Sequence, residues 1–462
     1  MAENYAEEEG EQDQSVDGAL GILPPHLQTA ILGLLPLQQL LQLRSLSRAF
    51  NSLLRSTSFL QHIAALQKAE AWFVMGREIP YSWPAKELVA FVPSQGKLIN
   101  PLPGLLSQCS TIASCFGPQA VSIASSYGPF DCPTALGFTL CGSDGGLLCC
   151  LLNHRLSAQE DEVNSNPNTS FSILVFNPLT GEILRLPPPP LVHPNLHHSD
   201  EVCLSMHTHE DGHYSVVISR EFGCFDHMEV YSSRMGCWKV AQPRHDAIAE
   251  CTCSLVQYVV GGADILFWDE REDWLFCYNL QKDLWSKVKM SCDVDLRNPS
   301  VDGGAECFMP TLVRGSPFLQ WRKGGRVLLA TPLREAQEIG DDHLFSFRGL
   351  LGFAVHELQT SQESSRRPSS YWAVLAHTPK ELWEQHQHLQ ASEYYYSFVF
   401  NGSHVCMSGR AQGLEDLLPL VYDLVHNSWY FLPSTATRLQ YGAYNYVGLS
   451  SFQPQLNARP KP

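Results

Sequence analysis

The chain has 462 residues and a formal charge of −16 at neutral pH, with 17% of its residues charged. That share is below the roughly 25% usual in soluble domains and suits a turn-rich β protein. The acidic balance, without a Lys/Arg stripe, argues against phosphate-led nucleic-acid binding, and no apolar run approaches the roughly 18 residues of a membrane span.

In chain order, residues 1–20 come first as a disordered acidic leader. Met1 to Asp17 contains Glu3, Glu7, Glu8, Glu9, Glu11, Asp13 and Asp17 and no basic residue, so it supplies seven of the sixteen excess negative charges. The absence of an apolar core in that stretch argues against a secretory signal. Fifteen cysteines, an odd number without framework spacing, then read as reduced core residues of a cytosolic or nuclear protein.

Residues 21–68 predict a leucine-rich helical module. A first helix starts after Pro24 and Pro25 and places Leu27, Ile31, Leu34 and Leu35 on one face, and Pro36 stops it. A second carries Leu37, Leu40 and Leu41, and a third Leu46, Ala49, Phe50, Leu53 and Leu54 at helical spacing. Three such short helices have more apolar surface than they can bury among themselves, so a protein partner is expected.

The same residues resemble an F-box, the segment that docks a substrate receptor on the Skp-type adaptor of a cullin–RING ubiquitin ligase. Leu23-Pro24 and Leu35-Pro36 match the family's two Leu-Pro steps, and Leu43-Arg44-Ser45-Leu46 its Leu-Arg-x-Val-type stretch. Phe50 stands where an aromatic is usual, and Ser47 where Cys is common. The resemblance implies an adaptor-binding set of Leu23, Pro24, Ile31, Leu35, Pro36, Leu40, Leu43, Leu46, Phe50 and Leu53.

From residue 69 to 455 the pattern is β. A short strand ends on an aromatic, a polar turn follows, and a large apolar residue comes seven positions after the aromatic. The copies are Phe91 to Leu98, Phe176 to Ile183, Tyr231 to Trp238, Tyr278 to Trp285 and Tyr422 to Trp429. A constant offset fixes which face both side chains occupy. Repeated small sheets must stack to bury their faces, and a β-propeller is the closed solution. The expectation is six blades, with seven as the alternative. The run Tyr441 to Phe452 is expected to pair with strands near Trp72 and close the ring, leaving 456–462 as a flexible tail.

This part resembles the kelch-type propeller of plant F-box/kelch-repeat proteins. Ser143-Asp144-Gly145-Gly146-Leu147 is similar to a blade start of that family, and Val355-His356-Glu357-Leu358 with Trp372 looks like a further copy. The resemblance implies a non-catalytic substrate-recognition subunit of an SCF (Skp–cullin–F-box) ligase, with no cofactor and no metal. Its partners are the Skp-type adaptor, through it cullin and RING subunits, and a protein substrate. Alternative readings are a non-degradative scaffold or transcriptional cofactor, and a propeller enzyme or small-ligand sensor. Loops Arg155 to Ser170 and Pro187 to Glu201 are expected at one end of the ring, as the substrate face.

His209-Glu210-Asp211-Gly212-His213 fits the zinc-protease spacing HExxH, which requires a helix. Alternating flanks predict a hairpin turn instead, with no zinc site.

Overall fold

The computed structural model describes residues 23–46, 48–54, 56–66, 70–78, 86–99, 137–155, 169–190, 202–209, 211–220, 228–241, 257–261, 264–269, 274–289, 306–307, 318–321, 327–339, 344–361, 369–384, 394–400, 403–411, 417–432, 446–455 and 457–461. The acidic leader lies outside them. Contacts divide the chain into two units, Met1–Ala69 and Glu70–Pro462.

The first unit contains helices α1 (Pro25–Gly33), α2 (Leu37–Leu46), α3 (Arg48–Leu53) and α4 (Thr57–Leu66). Pro25 opens α1, where its missing N–H costs nothing, and the Pro24 carbonyl accepts from Leu27 N at 2.9 Å. Pro36 plays the same part for α2, accepting from Gln39 N at 2.9 Å. One expectation needs correction. The three-helix reading omits α4, which Ser56 initiates: its Oγ accepts from Phe59 N at 3.4 Å and donates to Leu53 O at 2.8 Å. Among the described residues, α4 supplies Phe59, Leu60 and Ile63 to a buried set that also includes Leu32, Leu40 and Leu54.

The second unit is a propeller-like arrangement of small antiparallel sheets. Sheet 1 joins β1 (Trp72–Glu78), β2 (Lys86–Val92) and β3 (Lys97–Ile99) to the last strand, β25 (Tyr446–Phe452). Sheet 2 is β4 (Gly137–Asp144), β5 (Leu147–Arg155), β6 (Thr169–Phe176) and β7 (Ile183–Arg185). Sheet 3 is β8 (Val202–Thr208), β9 (Tyr214–Arg220), β10 (Met228–Ser232) and β11 (Cys237–Ala241). Sheet 4 is β12 (Gln257–Gly261), β13 (Asp264–Asp269), β14 (Trp274–Asn279) and β15 (Leu284–Lys289). In sheet 5, β16 (Glu306–Cys307) and β17 (Phe318–Trp321) pair β18 (Val327–Ile339), followed by β19 (Leu344–Ser361) and β20 (Ser369–His377). Sheet 6 is β21 (Tyr394–Phe400), β22 (His404–Ala411), β23 (Leu417–Asp423) and β24 (Ser428–Phe431). The first strands touch in the order β25, β4, β8, β12, β17, β21 and back to β25. As expected, β25 pairs antiparallel with β1, Trp72 opposite Phe452.

Sheets are buried on both faces. Leu147, Cys149 and Leu151 pack with Leu204, Tyr214 and Val216 of sheet 3, while Leu148 and Cys150, of opposite parity, are equally buried. In sheet 6, Val405 and Met407 face sheet 5, and Cys406 faces Phe73 and Phe91 of sheet 1. That is why these strands read as continuous apolar runs and not as alternation.

The seven-residue offset has a direct cause. Each pair stands opposite across the last hairpin of its sheet: Phe91 and Leu98, Phe176 and Ile183, Tyr231 and Trp238, Tyr278 and Trp285, Tyr422 and Trp429. The three aromatic pairs have ring centroids 5.4, 5.0 and 4.7 Å apart. The residue five after each first aromatic takes positive φ: Gly96, Gly181, Gly236, Asp283 and Asn427. Where it is not glycine its side chain is used, since Tyr422 OH donates to Asn427 Oδ1 at 2.9 Å and Tyr278 OH to Asp283 Oδ1. The copy expected around Val355 departs from this. Leu358 and Trp372 are register partners, but on β19 and β20 and fourteen positions apart, not seven. An extra helix, α5 (Lys380–Glu384), inserts Trp383 against Phe353 and Phe431 there. The insert at 362–368 lies outside the described residues.

Two outcomes follow. Asn427→Ala loses the Tyr422 bond and leaves at φ 50° a residue that lacks asparagine's tolerance of the left-handed region, so it should cost about 1–2 kcal/mol in denaturant unfolding. Asn427→Gly should cost less, and equal costs would contradict the left-handed requirement. His356 on β19 is fully buried, and burial, reinforced by His377, depresses its pKa to about 4. The unfolded chain then binds a proton that the fold does not, so stability is full above about pH 6.5 and falls as pH drops towards 4, by roughly 3 kcal/mol. His356→Gln should flatten that part of the pH profile.

Candidate functional site

The helical unit turns part of its apolar surface outwards. Leu34 is 83% and Leu46 71% exposed, and Leu27 and Ile31 are each 42% exposed. Leu27, Ile31 and Leu34 follow one another at helical spacing, from α1 to its C-cap. Of the adaptor-contact residues expected from sequence, Ile31 and Leu46 are exposed apolar groups, and Pro24 and Pro36 are exposed beside them. Leu23, Leu35, Leu43, Phe50 and Leu53 are half-buried. Leu40 is 1% exposed, a residue of the unit's core and not of its surface. Leu34, the most exposed apolar side chain here, was assigned to the helix face but not to the contact set. Its position after the last turn of α1, with Leu34 N bonded to Ile31 O at 3.1 Å, keeps it clear of the core.

In the second unit, antiparallel order sends the hairpin turns between strands 1 and 2, and between 3 and 4, to one end of the ring. Glu70, where the unit begins, is at that turn end, accepting from Ser94 N at 2.6 Å. Strands β5 and β7 run alike on either side of β6, so the loops after Arg155 and Arg185 leave from the opposite end. Residues 156–168 and 191–201, most of the two loops expected to bind substrate, lie outside the described residues. The start of the second is anchored, for Trp238 Nε1 donates to Pro187 O at 2.7 Å.

Titratable groups gather at the turn end. Asp144 Oδ2 accepts from Thr208 N at 2.7 Å and pairs with His207 Nδ1 at 3.1 Å, tying the turn of sheet 2 to sheet 3. Asp423 Oδ1 accepts from Val425 N and His426 N, and its Oδ2 lies 2.6 Å from His426 Nδ1 and 3.5 Å from His404 Nε2. Burial works to raise the Asp423 pKa, but hydrogen bonds from His426 and Val425 leave it below its ordinary value. Burial holds His404 and His209 below theirs. These carboxylates act as turn and inter-sheet ties. His209 N donates to His213 O at 2.7 Å and Gly212 N to His209 O at 2.9 Å, so the two histidines flank a hairpin and not a helical turn. His209 Nε2 is engaged by Ser215 Oγ at 2.9 Å. Among the described residues no group of three or more His, Cys, Asp or Glu is placed to hold a metal ion.

No curated protein matches the chain. Solved structures resemble it only distantly. A glycosyl hydrolase from Bacteroides ovatus is 11% identical over 65% of this chain and 87% of its own, with a TM-score of 0.32. A putative 6-phosphogluconolactonase from Bacteroides fragilis is 9% identical over 83% of this chain and 98% of its own, at 0.30. A puromycin-hydrolyzing peptidase of Mycobacterium tuberculosis is 10% identical over 80% of this chain and 48% of its own, at 0.33. Likeness at this level carries no argument about activity. The family model for the F-box domain matches residues 20–62. That span takes in α1 to α3, most of α4 and all four exposed apolar side chains, so the head of this chain is an F-box domain.

Proposed function

We propose that the chain is the substrate-recognition subunit of an SCF-type ubiquitin ligase, pairing its F-box domain with a six-bladed kelch-type propeller like that of plant F-box/kelch-repeat proteins. The carrying observation is the F-box match over residues 20–62 in a unit that leaves Leu34 and Leu46 outside its core. Burying such side chains against an adaptor yields about 1.5–3 kcal/mol each relative to exposure. The subunit has no chemistry of its own in this reading. It tethers a protein to the ubiquitin-charged enzyme brought by the cullin and RING subunits, and the tether raises the effective concentration of a target lysine. In this reading the loops after Arg155 and Arg185, at the end opposite the hairpin turns, form the substrate face. The ligase would work in the cytosol or nucleus.

Capture by purified Skp-type adaptor tests the reading. A Leu34→Asp, Leu46→Asp variant should lose adaptor binding by more than tenfold while melting like the native chain, because both side chains are outside the core. Leu35→Ala with Phe50→Ala, at half-buried positions, should weaken capture and stability together. Phe59→Ala should cost about 3–5 kcal/mol of stability in the helical unit, as for a buried aromatic. Undiminished capture by the Leu34/Leu46 variant would remove these residues from the interface, and undiminished capture by both double variants would remove the assignment.

A further inference from the structure

After β25 stops at Phe452, residues 453–455 and 457–461 cross the turn end of sheet 2 and reach sheet 3. Asn177, fully buried at the last turn of sheet 2, donates both Nδ2 hydrogens to this segment, to Gln455 O at 2.9 Å and Ala458 O at 2.7 Å. Its Oδ1 is held by Leu179 N at 2.9 Å, which fixes the direction of the amide. Tyr214, also fully buried, donates its hydroxyl to Lys461 O at 2.8 Å. The floor between them is Gly146, at φ 82°. A Cβ there would stand 2.5 Å from that of Gln455 and 3.0 Å from that of Ala458. Ala458 packs on the apolar cluster shared by sheets 2 and 3. The Arg459–Glu182 pair, at 3.8 Å and half exposed, adds little.

Buried donors from two sheets therefore address main-chain carbonyls of one segment, over a floor that only glycine leaves open and beside a spot that takes a methyl group. Fully used donors at buried positions are what a built binding site requires. We propose that this trough is a peptide-binding site whose resident ligand is the chain's own C-terminal segment, and that the segment staples the ring-closing strand β25 to sheets 2 and 3. This inference does not rest on the ligase reading.

The test pairs a chain ending at Phe452 with a fluorescent synthetic peptide of residues 453–462. The shortened chain should melt several degrees below the full chain. The peptide should bind it saturably and raise the midpoint again. Asn177→Ala in the shortened chain should weaken peptide binding about tenfold or more, the loss of two hydrogen bonds. A peptide carrying Ala458→Leu should not bind. Failure of the native peptide to bind at millimolar concentration overturns the proposal, whatever the melting shift. If the shortened chain does not fold, the full chain with Asn177→Ala or Gly146→Val decides by hydrogen exchange. Faster exchange over residues 453–461, with the sheet strands unchanged, supports the proposal, and exchange as in the native chain overturns it.

Discussion

Burial of both faces of each small sheet is the constraint from which the second unit follows. A four-stranded sheet whose strands carry apolar side chains on both sides, as Leu147 to Leu151 do, is insoluble alone and needs a neighbour on each face. The neighbours can be supplied without end strands only if the series closes. Closure depends on the pairing of β25 with β1, the contact between the two extremes of the unit's sequence. Phe73 on the strand that receives β25 then faces Cys406 and Val421 of sheet 6, so pairing and packing meet at one place. Long-range contacts of this kind are slow to form. The C-terminal segment adds bonds from beyond the closing strand to Asn177 and Tyr214.

Much of this was legible in the sequence. The seven-residue offset works as a ruler because the last hairpin of five sheets uses one turn geometry, with a left-handed residue five after the aromatic and a facing partner seven after. It identified register as well as strands. The failures have equally definite causes. In sheet 5 the connection from β19 to β20 lies outside the described residues, and Trp383 on an inserted helix, which no offset announces, packs against Phe353 there. Helix α4 follows the head's last Leu-Leu run after a gap of only a few residues, and its signal is a single Ser56 cap before Phe59, Leu60 and Ile63. The docking of residues 453–461 was invisible because it has no periodicity. Its partner Asn177 is 278 and 281 positions from the carbonyls it binds.

For the F-box, sequence located the module but mixed its inside with its outside. Leu40 and Leu34 have the same chemistry, yet Leu40, on α2, is core and Leu34, at the C-cap of α1, is exposed. The distinction matters because charge at Leu40 would unfold the unit, whereas charge at Leu34 addresses binding alone. For the ring, the strands that lead into the two expected loops, β5 and β7, run alike and end on the same side. At the other end the Asp144 and Asp423 carboxylates serve as inter-sheet and turn ties. The reading that results is of two separable tasks, recruitment by the head and recognition by the ring.

That separation is the central claim, and one measurement reaches it most directly. Proteins captured by the full chain in cells would be compared, with the proteasome blocked and unblocked, against those captured by a chain lacking residues 21–60. The account expects the shortened chain to lose adaptor and cullin, to keep its target, and to let that target accumulate without the inhibitor. Retention of the adaptor, or a target whose abundance ignores the deletion, would contradict it.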